Sequence, residues 1–161
     1  MGRYKTPPTS PQVTATPDPS TSAWPTASVA PTTSMCGQTS FGESGRPITL
    51  SWRIDNLGAG STNVTSWRDA VYISTDGVLN TGTDTRLGEW THSGALSPSM
   101  AYTQTQTASL PNGIEGEYTL FLVTDRYAGV NDADRANNTL AASPRISVTL
   151  STSPDALPSV G

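Results

Sequence analysis

The sequence predicts an all-β protein, a sandwich of short antiparallel strands, and three observations predict it. Apolar residues through the middle of the chain alternate with polar ones, the period-two mark of strands buried on one face. No stretch keeps a 3.6-residue period beyond one turn, and strand-favouring Thr, Val and Tyr are well represented. Clusters of Gly, Asn, Asp and Pro separate the alternating runs at intervals that suit a sandwich.

The elements follow in order. Residues 1–25 read as a Pro/Ser/Thr-rich arm or linker. Over residues 1–40, Pro, Ser and Thr supply 22 positions, too little apolar area to offset the entropy of ordering the chain alone. The sandwich is expected over 26–152 and a short linker over 153–161. A first strand is expected within about residues 26–42, along a sheet edge because Pro31 has no N–H to give a central ladder. In 46–60, Ile48, Leu50, Trp52 and Ile54 share one face, and the strand ends in an Asn-Leu-Gly-Ala-Gly turn. In 66–77, Val71 and Ile73 point inward before a turn at Asp76-Gly77. Residues 87–96 read as a weaker, shorter strand. In 101–111 a row of Thr alternates with Tyr102, Gln104, Gln106, Ala108 and Leu110, and the two Gln predict a strand only partly buried at its middle. EYTLFLVTD, 117–125, is apolar on both parities, as the most central strand should be. Ile146, Val148 and Leu150 mark the last strand.

Composition removes several functions. Leu, Ile, Val and Phe total 27 of 161 residues, a fraction that signals disorder only alongside high net charge, and the formal charge is −4. Ser and Thr number 45, so hydroxyls supply the polarity. Nine Lys and Arg against thirteen Asp and Glu leave no basic stripe for nucleic acid. The longest unbroken run of aliphatic and aromatic residues is Leu120 to Val123, so no membrane insertion is expected. One Cys and one His exclude an internal disulfide, a CxxC pair and an HExxH site. MGRYKTPPTS has no apolar stretch behind its two basic residues, so no signal peptide is read there.

The motifs SWRIDNLGAGSTN, SWRDAVYISTDG, LGEWTHSGAL, AYTQTQTASLPNGIEGEYTLFLVTD and the Asn pair at 137–138 resemble the bacterial cell-adhesion-related domain, CARDB, over about residues 46–150. The resemblance implies an immunoglobulin-like antiparallel β-sandwich of about seven strands. It also implies an extracellular or cell-surface setting, a spacer or adhesive role and no catalytic activity. Members commonly open on a Pro-Asp-Leu-Val strand, where this chain has SVAPTTSMCGQTS.

Catalysis finds no constellation. His92 lies in WTHSG, read as an exposed turn, with no Gly-x-Ser-x-Gly elbow. Glu89, Glu115 and Glu117 have nothing to place them across a cleft. Calcium is the cofactor to consider. In an immunoglobulin-like sandwich one end would gather Asp69, Asp125, Asn131, Asp132, Asp134 and Asn137, the hard oxygen ligands that calcium takes. The competing reading makes them turn formers and caps. The loop 75–84, with Asp76, Asn80 and Asp84, reads as a plain connection. Trp52 and Trp67 are assigned to the core, while Trp24, Trp90 and Tyr127 are too scattered to form a sugar-binding stripe.

The expected function is a non-enzymatic module, a subunit or repeat of a surface fibre or filament. Its partners are then copies of itself or neighbouring repeats, with the N-terminal arm making the contact through Val13, Trp24 and Val29. Two other readings stay open: a virion decoration or fibre protein, and a carbohydrate-binding accessory module.

Overall fold

The computed structural model describes residues 29–31 and 40–151. The described residues hold nine strands: β1 Val29–Pro31, β2 Phe41–Glu43, β3 Pro47–Asn56, β4 Ser66–Ser74, β5 Thr85–Ser93, β6 Ala101–Ser109, β7 Gly116–Val123, β8 Thr139–Ala141 and β9 Ile146–Thr149. They form two sheets. One has the order β1-β3-β6, and the other runs β2-β9-β7-β4-β5, with β8 added to β7. All pairings are antiparallel except that of β2 with β9. The all-β sandwich expected from the sequence is the fold observed.

The core forms where the two inward faces meet. Along β3, buried and outward positions alternate almost without a break, and Ile48, Leu50, Trp52 and Ile54 all face inward. Trp67, Val71 and Ile73 of β4, Leu120 and Leu122 of β7, and Ile146 and Val148 of β9 close on them from the other sheet. Each such side chain, fully buried, contributes roughly 1.5–3 kcal/mol. β7 lies in the middle of its sheet, as its two-sided apolar pattern predicts. Its outer face is covered as well. Phe121 packs with Ala70 and Tyr72 of β4, and Leu79 from the following loop lies over them.

Three expectations change. The single early strand is two short ones in different sheets: β1 pairs β3 and β2 pairs β9. The strand expected to be weak near 87–96 is nine residues long and starts at Thr85. Its alternation is hard to read because the register slips between Val71 and Tyr72, where Leu87 is the extra residue between Gly88 and Arg86. Finally, β8 is a three-residue strand that no apolar run announces.

Candidate functional site

Period two along β4 places Trp67, Asp69, Val71 and Ile73 on one face, and that face is the core. Asp69 is 0% exposed. Its carboxylate accepts from three side chains brought by three other parts of the fold. Trp52 of β3 donates its indole Nε1–H to Oδ2 at 3.0 Å, the Tyr102 hydroxyl of β6 donates to the same oxygen at 2.6 Å, and Thr124 after β7 donates to Oδ1 at 2.7 Å. Burial still pushes the Asp69 carboxyl above its ordinary range, against the downward pull of Tyr102, Thr124 and Trp52. Tyr102 is raised too, chiefly by burial and then by the Asp69 charge beside it.

His92 belongs to this assembly. It lies on β5, half buried, and not in an exposed turn. Its ring stacks on Tyr102 at 3.7 Å between centroids, and Trp67 packs against it at 4.3 Å. The Trp67 indole donates to the Tyr102 oxygen at 3.1 Å. Burial lowers the His92 pKa, opposed by its bond to the Gly94 carbonyl and by Asp69. The cluster ties β3, β4, β5 and β6 together, and the two sheets meet there through polar groups. An imidazole and a carboxylate are present, but no hydroxyl of a nucleophile stands on the imidazole. The observed pairings are those of a clasp.

The other acidic candidates lie on the chain between β7 and β8, and each has a structural task. Asp125, with φ 44°, accepts from the Gly129 and Val130 amides at 2.9 and 3.0 Å and from Arg135 Nη1 at 3.1 Å. Arg135 also donates to the Ala128 and Val130 carbonyls. Asp132 accepts from the Asp134 amide at 2.9 Å through Oδ1 and from the Val29 amide at 3.2 Å through Oδ2. Asp134 caps the 3₁₀ turn Arg135–Asn137, accepting from the Ala136 amide at 3.1 Å. Asn131 gives its amide to Asn63 Oδ1 at 2.5 Å. The structure therefore places Asp125, Asn131, Asp132 and Asp134 on one loop, and it commits the Asp69 carboxylate to Trp52, Tyr102 and Thr124 in the core. Among the described residues, no group of three or more His, Cys, Asp or Glu is spaced to hold a metal ion.

The loop 75–84 also closes on itself. Asp76 accepts from Val78 N and Ser74 Oγ, which hold its carboxyl below the usual range, and Asp84 accepts from Asn80 N at 2.7 Å. A cleft of about 230 Å³ beside it, lined by Ile73, Thr75, Asp84, Ile114 and Tyr118, is smaller than the roughly 300 Å³ at which small-molecule sites begin.

Val29 is 0% exposed inside the chain's own core, so it is a strand residue of this sandwich, correcting its assignment as a partner contact. Val13 and Trp24 lie outside the described residues. Trp52 and Trp67 are buried as expected. Trp90 folds back over Gly88, where an added Cβ would come within 2.3 Å of the indole, and its ring meets Trp52 at 5.4 Å. Tyr127 is exposed, and its hydroxyl donates to Glu89 Oε2 at 3.1 Å.

The two sheets end in strands of different character. β5 is bulged and carries Glu89, whose carboxylate takes Arg86 at 2.9 Å, Arg68 at 3.2 Å and Arg126 at 3.4 Å. β6 is nine residues of Ala, Tyr, Thr, Gln and Ser, paired with β3 in unbroken register from Pro47↔Ser109 to Asp55↔Ala101. The bonds Asn56 N→Met100 O and Leu110 N→Arg46 O fix the phase of that ladder: even-numbered residues of β6 bond to β3. The N–H and C=O groups of Thr103, Thr105 and Thr107 therefore point away from it.

No protein-family model and no curated protein sequence matches the chain. Solved structures do. The crystal structure of the CARDB domain of the PF1109 protein from Pyrococcus furiosus, in complex with di-metal ions, covers 79% of this chain and 90% of its own, with a TM-score of 0.52 at 18% identity. The solution structure of the same domain covers 78% and 95%, with a TM-score of 0.50 at 19% identity. The fold is that of a CARDB domain. A β-glucosidase from Listeria innocua also aligns, with a TM-score of 0.45 and 10% identity, over 16% of its chain. The CARDB frame puts the resemblance seen in SWRDAVYISTDG and LPNGIEGEYTLFLVTD on β4, β7 and their adjoining turns.

Proposed function

We propose that this CARDB-fold chain is a non-enzymatic structural module, one subunit or repeat of an extracellular surface fibre or filament, in which residues 1–25 contact a neighbouring copy. One observation carries the reading. The acidic side chains that could have formed a site hold the sandwich: Asp69 the clasp, Asp125, Asp132 and Asp134 turns and a cap, and Glu89 three guanidinium groups. What stays open among the described residues is backbone at the outer edge of β6.

The entry of that chain supports the arm. Val29 is locked between the sheets and its amide is held by Asp132, so whatever residues 1–25 bind is anchored directly to a core strand. A load on the arm would pass into β3 through main-chain bonds. Deleting residues 1–25 should leave the melting temperature within about 2 °C and abolish arm-dependent assembly in a co-sedimentation assay with the full chain. Assembly that survives the deletion would refute the arm's role. The deletion must stop short of Val29, because removing β1 takes a core side chain with it.

The di-metal ions of the Pyrococcus domain support a second reading, in which a divalent cation binds the 125–138 loop. Asn138 Oδ1, buried there without a hydrogen-bond partner, favours it. Arg135 occupies Asp125, so the cation would have to displace a guanidinium. Calcium should then raise the melting temperature by several degrees in a manner reversed by chelator, and an unchanged midpoint would eliminate the cation.

A further inference from the structure

We infer that the free edge of β6 is a self-association surface, which pairs antiparallel with β6 of a second copy about a two-fold axis through Thr105. The first ground is the edge itself. Among the described residues nothing bonds to the outward N–H and C=O groups of Thr103, Thr105 and Thr107, and the strand lacks the devices that block edge pairing: it has no Pro, no charge and no bulge.

The second ground is sequence symmetry. Residues 103–107 read Thr-Gln-Thr-Gln-Thr, the same in both directions. An isologous antiparallel contact needs a strand to be complementary to its own reverse, and a palindrome meets that requirement at every position. With Thr105 opposite Thr105 of the second copy, Thr103 faces Thr107. All are odd-numbered, so their free backbone groups meet as hydrogen-bonded pairs. The even positions fall between them as close pairs, Gln104 opposite Gln106.

The third ground is an orphaned atom on that row. Gln104 Oε1 is buried and has no hydrogen-bond partner. A second β6 would bring the Gln106 side-chain amide of the second copy alongside it. The outer face would carry Thr beside Thr, a favourable cross-strand pair.

Charge agrees. The strand is neutral, and the nearest ions on its outer face, Arg53 and Asp55 of β3, are bound to each other at 2.7 Å. Two copies of this edge therefore approach without like-charge repulsion, whereas two β5 edges would bring Arg68, Arg86 and Arg126 together with their counterparts. A seam of this length is smaller than the roughly 1,200 Å² of a stable interface, so it suits copies already held close in an array. The seam needs no residue before Val29 and is separate from the arm contact.

The test uses the full chain in analytical ultracentrifugation up to about 1 mM, a range suited to weak contacts. Wild type should shift from one-chain towards two-chain mass. T105K and T105E, each verified as folded by circular dichroism, should stay at one-chain mass, while their equimolar mixture regains the two-chain species. A wild type that remains one-chain throughout, or a T105K that pairs as wild type does, would overturn the inference. Deleting residues 1–25 separates the two contacts. Loss of pairing on that deletion assigns association to the arm and also overturns the seam, whereas retained pairing with lost assembly upholds the seam and the arm together.

Discussion

The two long strands among those that end the sheets, β5 and β6, have equal length and opposite chemistry. β5 carries a bulge at Leu87, and around it Arg68, Arg86 and Arg126 crowd one carboxylate, Glu89, which is 13% exposed. β6 is straight, neutral and hydroxyl-lined. A twist and a cluster of cations keep other strands off β5, while β6 offers an unobstructed ladder. One molecule thus solves the edge problem on one side and leaves it open on the other. The contrast teaches where to look for contacts in a module whose buried carboxylates, Asp69 and Asp125, are both spent on structure.

The clasp holds the two edges in relation, since Tyr102 belongs to β6 and His92 to β5, and both stand on or beside Asp69. Breaking it gives the largest expected effect. Asp69→Ala orphans a buried indole N–H and frees Tyr102 and Thr124, so urea unfolding should show a loss of about 3–5 kcal/mol. Asp69→Asn keeps an acceptor for Trp52 and Tyr102 and lets the Thr124 hydroxyl turn, so about 1–2 kcal/mol is expected.

The same pair of proteins sharpens the comparison through pH. Burial raises the folded Asp69 carboxyl, so the unfolded chain gives up its proton first as pH rises. Asp69's contribution is complete below the unfolded value of about 4 and is lost as pH climbs through the raised folded value. Asp69→Asn should therefore gain on wild type over that climb. His92 runs the other way: its lowered folded pKa preserves stability above about 6.5 and costs stability as pH falls through that value. Chemical-denaturation midpoints from pH 3 to pH 8 (about the range where both groups titrate) would read both.

On the β5 side, Glu89→Ala should cost about 1 kcal/mol, since the ion pairs reach solvent and screening limits them. The loss should shrink in high salt, as measured by the denaturation midpoint with and without 1 M NaCl (Debye length about 3 Å). β6 association should not respond to this change, because Glu89 and its arginines lie on the other edge.

Much of this frame was legible. β3 shows plain alternation because one face is core and the other solvent, and the inward Gln104 and Gln106 correctly marked a half-buried strand. β5 was not legible, because the bulge at Leu87 breaks its period and neither face is fully buried. The early strand divided in two because β1 and β2 join different sheets, a choice made by tertiary pairing and not by local sequence. The clasp was missed although one signal was available: the alternation that made Val71 and Ile73 inward makes Asp69 inward as well. Its partners stand 17, 33 and 55 residues away, beyond any local pattern. The acidic residues of the 125–134 loop are plain in the sequence, but the guanidinium of Arg135 on Asp125 is not announced by any pattern.

The central claim is that the β6 edge is the open one. Amide hydrogen exchange, followed by NMR at two concentrations a hundredfold apart (about 10 µM and 1 mM, bracketing weak association), tests it residue by residue. The account predicts that Thr103, Thr105 and Thr107 exchange freely when dilute and gain protection when concentrated. Gln104 and Gln106, already bonded to β3, should be protected at both concentrations, and β5 amides should not change between them. Odd-numbered β6 amides that exchange equally fast at both concentrations, or protection that appears on β5 instead, would contradict it.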